Sequence, residues 1–323
     1  MEKRYDVAAL GELLIDFTQS GVSPQGNPLW EANPGGAPCN VLAMLTRLGH
    51  TTAFLGKVGQ DGFGDQLETA LREVGIDTRA LRRDGEVPTT LAVVHKKPNG
   101  DRDFSFYRKP GADLMLYIDE LDTALLADCR IFHFGTLSLT AEPCRATTCK
   151  ALALAGQAGA LRSFDPNLRE PLWDSLDDAR EQVLFGLAHC DILKISDNEI
   201  QWLTGETDFD RAVRWIQSRF TIPLILLTLG PDGSRAWCGG VTAAHPGFKL
   251  SNTVETTGAG DTFMGCALHY VLANGWHPYT EEELSGLLRF ANAAAAIITT
   301  RPGALRVMPK AQEIKALLEL TKR

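Results

Sequence analysis

Buried strands alternate with amphipathic helices along most of this chain, and that alternation leaves few architectures open. Residues 5–10 form an apolar run, after which Val41, Met44, Leu45 and Leu48 recur at i, i+3, i+4 and i+7 before Gly49. This is the spacing of one buried helix face with a glycine stop. Residues 52–58 read as a strand, and Phe63, Leu67, Ala70, Leu71 and Val74 mark a helix closed by Gly75. From residue 131 the pattern returns, with strands predicted near 131–134, 161–165, 192–195 and 224–229 separated by helical stretches. Strands spaced by crossover helices predict an α/β fold: a doubly wound, mostly parallel sheet flanked by helices on both faces. Such sheets bind ligands at the carboxyl ends of their strands.

Two segments depart from the alternation. Residues 89–96 and 102–107 are rich in β-formers and flank Pro98-Asn99-Gly100-Asp101, a turn signal, so a hairpin is inserted there. After a short hairpin around 235–245 the last hundred residues turn helical, near 260–274, 281–298 and 310–320. No internal repeat, low-complexity tract or Pro/Ser-rich linker divides the 323 residues, which predicts one main domain, 1–323, with a small β insertion.

The net charge of -8 comes without a basic block, so no electrostatic footprint for nucleic acid is present, and an anionic ligand needs local basic residues or metal ions. The opening segment, an apolar stretch broken by Glu12 and Asp16, reads as a buried strand and not a signal peptide. No run approaches the ~18 apolar residues of a membrane span, and a cytoplasmic location is expected. Seven cysteines without a C-x-x-C pair predict reduced, mostly buried thiols.

Chemistry concentrates in a few motifs. In ETTGAGDTF, residues 255–263, Gly258 and Gly260 lead into Asp261 at a helix start. First-turn amides lack intrahelical partners and favour a phosphate or a developing anion, which makes Asp261 a candidate base beside an anion hole. The alternative is Thr257 capping a tightly packed helix. GGAPCN, residues 35–40, puts Gly35 and Gly36 before another helix, permitting close backbone approach, with Asn40 able to hydrogen-bond a polar ligand; a turn with Pro38 near the helix start reads the same residues without a ligand. Asp16 lies just beyond the first strand, where a carboxylate suits two hydroxyls of a polyol or simply caps. Asn167 and Arg169 follow the strand ending at Asp165, and Arg108 follows the hairpin; each guanidinium grips a ligand or makes a structural ion pair. Ser196 to Glu199 fits a capping box, or Glu199 holds hydrated magnesium. Thr228, Gly230 and Gly233 suit a nucleotide edge or a plain turn, and with no GxxxxGK[ST] a P-loop is excluded.

With GGAPCN near its start and TTGAGDTF near its end, the chain resembles the PfkB, or ribokinase-like, carbohydrate kinase family over nearly its full length. The resemblance implies ATP-dependent phosphoryl transfer to an alcohol, in a doubly wound domain whose site is covered by a β-sheet lid built from segments about 13–34 and 88–112. It implies that Asp261 is the general base and that backbone amides from Gly258 through Ala259 and Gly260 to Asp261 form the anion hole. Asp16, Gly35, Gly36, Asn40, Phe106, Arg108 and Arg169 fall at sugar positions, and Lys194, Ser196, Glu199, Thr228, Gly230, Gly233 and Asn292 at nucleotide positions. Glu199 matches the acid that holds Mg2+ through water, whereas Ser196 replaces an asparagine. A potassium site is implied at Glu255, Thr257, Ile298, Arg301 and Gly303, with Glu255 in place of the usual aspartate.

Within the family, HFGTLSL, FYRKPGAD and FDPNLREPLW look most like segments of fructokinases, which implies fructose phosphorylated on its 6-hydroxyl. Aminoimidazole riboside kinase shares D-x-N-L-R and PGAD and is the competing implication; a tyrosine would stand there in place of Phe106. A reading of another class is a sugar-binding regulator that has lost its chemistry at Ser196 and Glu255, against which stand the intact Asp261, Gly258 and Gly260. An exposed lid edge makes a homodimer plausible on geometric grounds.

Overall fold

The computed structural model describes residues 3–96 and 102–321. Its main sheet has nine strands: β1 Tyr5–Leu10, β4 Thr52–Gly59, β5 Asp77–Asp84, β8 Cys129–Gly135, β9 Leu161–Asp165, β10 Ile192–Ser196, β11 Leu224–Thr228, β12 Ser234–Cys238 and β13 Val241–His245. They lie in the order β5-β4-β1-β8-β9-β10-β11-β12-β13, parallel from β5 through β11 and antiparallel for the last two pairings. Along β1 successive side chains serve opposite cores: Val7 and Ala9 join one buried cluster, Ala8 and Leu10 the other. A strand buried on both faces carries no polar alternation, which is why this segment reads as a continuous apolar run.

The helices α1 Ala37–Arg47, α2 Gly62–Glu73, α3 Thr123–Ala127, α4 Cys144–Gln157, α5 Leu176–Ala188, α6 Asp197–Thr204, α7 Phe209–Gln217, α8 Ala259–Asn274, α9 Glu281–Ile298 and α10 Ala311–Leu320 cover both faces. Strand order reverses at β1, which has β4 on one side and β8 on the other. The crevice at such a reversal is where an open α/β sheet receives ligands. Two helices converge there: a Cβ on Gly265 of α8 would stand 2.7 Å from the Cβ of Met44 on α1, so glycine lets the two helices pack close.

A second sheet, ordered β3-β2-β6-β7, is made from β2 Leu14–Val22, β3 Pro28–Gly35, β6 Leu91–Lys96 and β7 Arg102–Tyr107. The predicted hairpin is present as the antiparallel pair β6–β7; its turn, residues 98–101, lies outside the described residues. Pattern reading alone left residues 11–40 irregular before α1, and the strands β2 and β3 emerged only through the family resemblance. Edge strand β5 (DTRALRRD) gave no signal, because its arginines interrupt the apolar alternation.

Entry to and exit from the second sheet are pinned by two carboxylates, Asp61, half-buried, and Asp113, buried. Asp61 caps α2 through the Gly64 N–H and also accepts the Thr89 N–H and hydroxyl, each at 2.8 Å. Asp113 accepts the Thr90 hydroxyl at 2.5 Å and the Arg108 guanidinium at 2.6 and 2.8 Å. All seven cysteines are free, six of them buried. Among the described residues, no helix is long and apolar enough to cross a membrane, and no cluster of three His, Cys, Asp or Glu side chains is placed to hold a metal ion.

Candidate active site

A cleft of about 380 Å³ opens at the sheet reversal, between the strand ends and the second sheet. All four strands of that sheet line it, through Asp16, Asn33, Val94 and Phe106, so the sheet is a cover over the cleft. On the opposite wall α8 begins. Gly258 adopts a left-handed conformation (φ 75°), and a Cβ there would lie 2.7 Å from that of Ala304. Glycine is therefore required both by the turn and by the contact.

Asp261 sits in the first turn of α8, where its Oδ2 accepts the Asn40 side-chain N–H at 2.8 Å. Burial raises its pKa, opposed by the Asn40 hydrogen bond and by the charges of Lys194 and Arg169. The Asn40 Oδ1 is buried without a protein partner. Of the amides expected to form an anion hole, that of Ala259 has a backbone partner. The Ala259 N–H turns back to the Thr256 carbonyl at 3.2 Å and the Thr262 N–H closes on Gly258. Gly260 and Asp261 supply the first-turn amides between these two bonds.

Across the cleft, Asp16 occupies β2 opposite Asn33 of β3. Its carboxylate fits because the neighbouring position is Gly35, where a Cβ would stand 2.1 Å from Asp16 Oδ2. Burial drives the Asp16 pKa up to about 7; Arg169 lowers it, while Glu255 and Asp261 raise it further. Gly36 is left-handed (φ 128°) with the Glu12 carbonyl 2.4 Å from any added Cβ. Glu12 itself, which pattern reading passed over, accepts the Ala37 N–H at 2.7 Å and so anchors the start of α1, three residues before Asn40.

Lys194, in the middle of β10, reaches the helix start: a Cβ on Gly260 would lie 3.0 Å from its ammonium. Its partner is Asp165 at the end of β9, held at 2.9 and 3.1 Å. Burial works against the ammonium, but Asp165 and Glu199 keep its pKa above the ordinary value. Ser196 and Glu199 form the predicted capping box of α6. Glu199 does more: one oxygen takes the Ser196 N–H and hydroxyl at 2.8 and 2.7 Å, the other the Leu168 N–H at 2.8 Å. Burial raises its pKa, yet Lys194 and these hydrogen bonds outweigh it and hold the group below its ordinary value.

Several expected ligand groups are otherwise engaged. Arg108 is a buried ion pair, bonded to Asp113, the Thr140 hydroxyl and the Leu137 carbonyl, and it does not line this cleft. Asn292 braces a loop, accepting the Ser234 hydroxyl and donating to the His245 and Pro246 carbonyls. Thr228, Gly230 and Gly233 lie at the β11–β12 turn, outside the cleft, where Gly233 (φ 104°) leaves 2.1 Å between an added Cβ and the His245 carbonyl. The Arg301 guanidinium turns to the Val307 carbonyl and Glu313, and the Ile298 side chain is in the core. The segments themselves do meet: the Val254 and Glu255 N–H groups reach the Thr299 carbonyl, and the Glu255 carboxylate accepts the Gly303 N–H at 2.8 Å. Thr256, Thr257 and Gly303 line the cleft beside Glu255.

A doubly wound sheet, a four-stranded cover and a half-buried carboxylate at a glycine-rich helix start are the arrangement of a phosphotransferase that acts on a sugar hydroxyl, the class to which the family and the fructokinase relatives assign the chain. The chain belongs to the pfkB family of carbohydrate kinases, whose family model matches residues 5–311. It is 42% identical over 315 residues to fructokinase-1 of Zea mays, covering 97% of each chain. The fold is ribokinase-like. A fructokinase with bound ATP from Xylella fastidiosa superposes with a TM-score of 0.89 at 29% identity, covering 99% of this chain and 100% of that one. A fructokinase from Vibrio cholerae O395 in a fructose, ADP and calcium bound form gives 0.86 at 30%, covering 97% and 99%.

Proposed function

We propose that the protein transfers the γ-phosphoryl group of ATP to D-fructose, on the 6-hydroxyl. The observation that carries the chemistry is the Asn40–Asp261 pair: a half-buried carboxylate, oriented at 2.8 Å, at the start of a glycine-led helix. Asp261 takes the proton of the attacking hydroxyl, and Asn40 fixes which carboxylate oxygen is presented. The Gly260 and Asp261 amides, with the Lys194 ammonium against the same turn, stabilise charge on the phosphoryl group in flight. Asp16 and Arg169 hold the sugar, and the four-stranded cover excludes water that would otherwise compete as acceptor.

The residues fit the ions that this chemistry needs. Glu199, kept ionised, suits a hydrated Mg2+ beside the nucleotide phosphates, whose charge that ion would neutralise. Residues 255–257 and 298–303, tied together through Thr299 and Gly303, would hold K+ through carbonyl oxygens next to the helix start. Fructose is supported by the near full-length likeness to fructokinases. Intact Asp261, Gly258 and Gly260 stand against a regulator without chemistry. The test is coupled ADP release with fructose, ribose, adenosine, 2-keto-3-deoxygluconate and aminoimidazole riboside, each with and without K+. Fructose is expected to give the highest kcat/KM and K+ to raise it; preference for another acceptor sinks the assignment of the sugar.

A further inference from the structure

Two helices meet at the reacting carboxylate, and both start without a cap of their own. α1 and α8 each begin at a glycine, Gly36 and Gly258, with no side-chain cap from that position. At α2, α5, α6, α7 and α9 the local cap is present, from Asp61, Ser175, Ser196, Asp208 and Thr280. The start of α8 faces the cleft through Gly258, Gly260 and Asp261. The start of α1 is closed instead by Glu12, 25 residues before Ala37, whose Oε1 accepts the Ala37 N–H at 2.7 Å. The first turn of α1 has no acidic residue, so Glu12 supplies a carboxylate to the positive end of its dipole from outside the helix. Two further contacts press this segment on that turn. An added Cβ on Gly36 would stand 2.4 Å from the Glu12 carbonyl, and one on Gly11 would stand 2.6 Å from the Pro38 side chain. Glu12 is 4% exposed and lines the cleft. One turn into the helix lies Asn40, whose N–H closes on the Gly36 carbonyl at 3.0 Å. Its carboxamide donates to Asp261, and its Oδ1 has no protein partner. The backbone at the start of α1 therefore sets where that carboxamide stands.

We propose that Glu12 is a positioning residue for phosphoryl transfer: by fixing the first turn of α1 it sets the position from which Asn40 holds Asp261. This rests on the sugar kinase reading above and on the part Asn40 and Asp261 play in it. Glu12 acts through Asn40. A base works only from a narrow range of geometries, and a misplacement of about 1 Å costs up to about 10²-fold in rate. A cap that only stabilised the helix would change melting and leave the chemical step alone.

A double-mutant cycle tests this, on the wild type, Glu12→Ala, Asn40→Ala and the double variant, with thermal melting in parallel. Single-turnover rate constants are measured at saturating ATP, with enzyme in excess over fructose and at concentrations where the rate no longer rises. Such rate constants do not scale with the fraction of enzyme that is folded, so lost stability alone leaves them unchanged. Glu12→Ala is expected to lower the rate constant about tenfold to a hundredfold in the wild-type background and less than about threefold in the Asn40→Ala background. Glu12→Gln keeps an oxygen for the Ala37 N–H and is expected to stay within about threefold of the wild type. Where Glu12→Ala does not fold, Glu12→Asp, shorter by one methylene, takes its place in the same cycle. A Glu12→Ala rate constant within about threefold of the wild type, whatever its Tm, leaves Glu12 as a structural cap and overturns the proposal. Equal losses in both backgrounds overturn it as well, because Glu12 then acts independently of Asn40, as does a Glu12→Gln variant as slow as Glu12→Ala. A wild type without turnover on any acceptor of the panel overturns the sugar kinase reading itself. A wild-type rate constant in Asn40→Ala overturns the role of Asn40, and this inference with it.

Discussion

Burial, more than residue type, gives the carboxylates of the cleft their properties. The pKa of Asp261 is raised by burial and restrained by Asn40, Lys194 and Arg169. Asp261→Asn keeps the Asn40 contact geometry but cannot accept the proton of the attacking hydroxyl. The expected loss in kcat is about 10²–10⁴-fold with ATP binding retained, measured by single turnover and nucleotide titration; near-normal turnover removes Asp261 from its role. Glu12 shows the same effect in stability. Its pKa is pushed up to about 7 by burial, against an unfolded value of about 4. Between those values the unfolded chain releases the proton that the folded chain keeps, so this group destabilises the fold as pH rises from about 4 to about 7. Glu12→Gln still accepts the Ala37 N–H and does not titrate. The wild-type Tm is expected to fall relative to the variant as pH rises from about 4 to about 7 and to level off above that. Parallel Tm curves would show that Glu12 is not the group responsible.

At the scale of elements, helix starts supply the site and carboxylates fix the segments that cover it. The α6 cap was legible as a capping box, but its Glu199 also carries Leu168, a contact between segments 31 residues apart that spacing does not reveal. Arg108 illustrates the converse. A guanidinium past a hairpin reads equally as a ligand or as an ion pair, and the decision belongs to Asp113, five residues on, which turns back beneath it at 2.6 Å. Both side chains are 2% exposed. Arg108→Ala leaves Asp113 buried without its charge partner, and the expected loss of stability is ~3–5 kcal/mol by urea unfolding. Full stability with a raised fructose KM would instead make Arg108 a sugar contact.

Taken whole, the molecule is a nine-stranded sheet with a small four-stranded cover whose outer strands, β3 and β7, are edges. Val22, Leu29 and Tyr107 on this cover are exposed, at 62%, 47% and 65%. Open edges with apolar side chains favour pairing with a second copy, and we propose a homodimer through the cover. Sedimentation velocity is expected to report a dimer that Leu29→Glu weakens; a wild-type monomer at all concentrations refutes it. The sequence by itself determined the strand and helix order apart from β2, β3 and β5, the parallel core, and the two glycine motifs, since apolar periodicity and glycine spacing are local properties of the chain. It also marked Asp261 and Asn40 as candidates without joining them. Only the tertiary structure placed those two side chains 2.8 Å apart across 221 residues, engaged Arg108 and Asn292 in bracing, and set Asn167 in the cleft. Such decisions rest on which buried polar groups find partners, and a partner distant in sequence leaves no mark on local pattern.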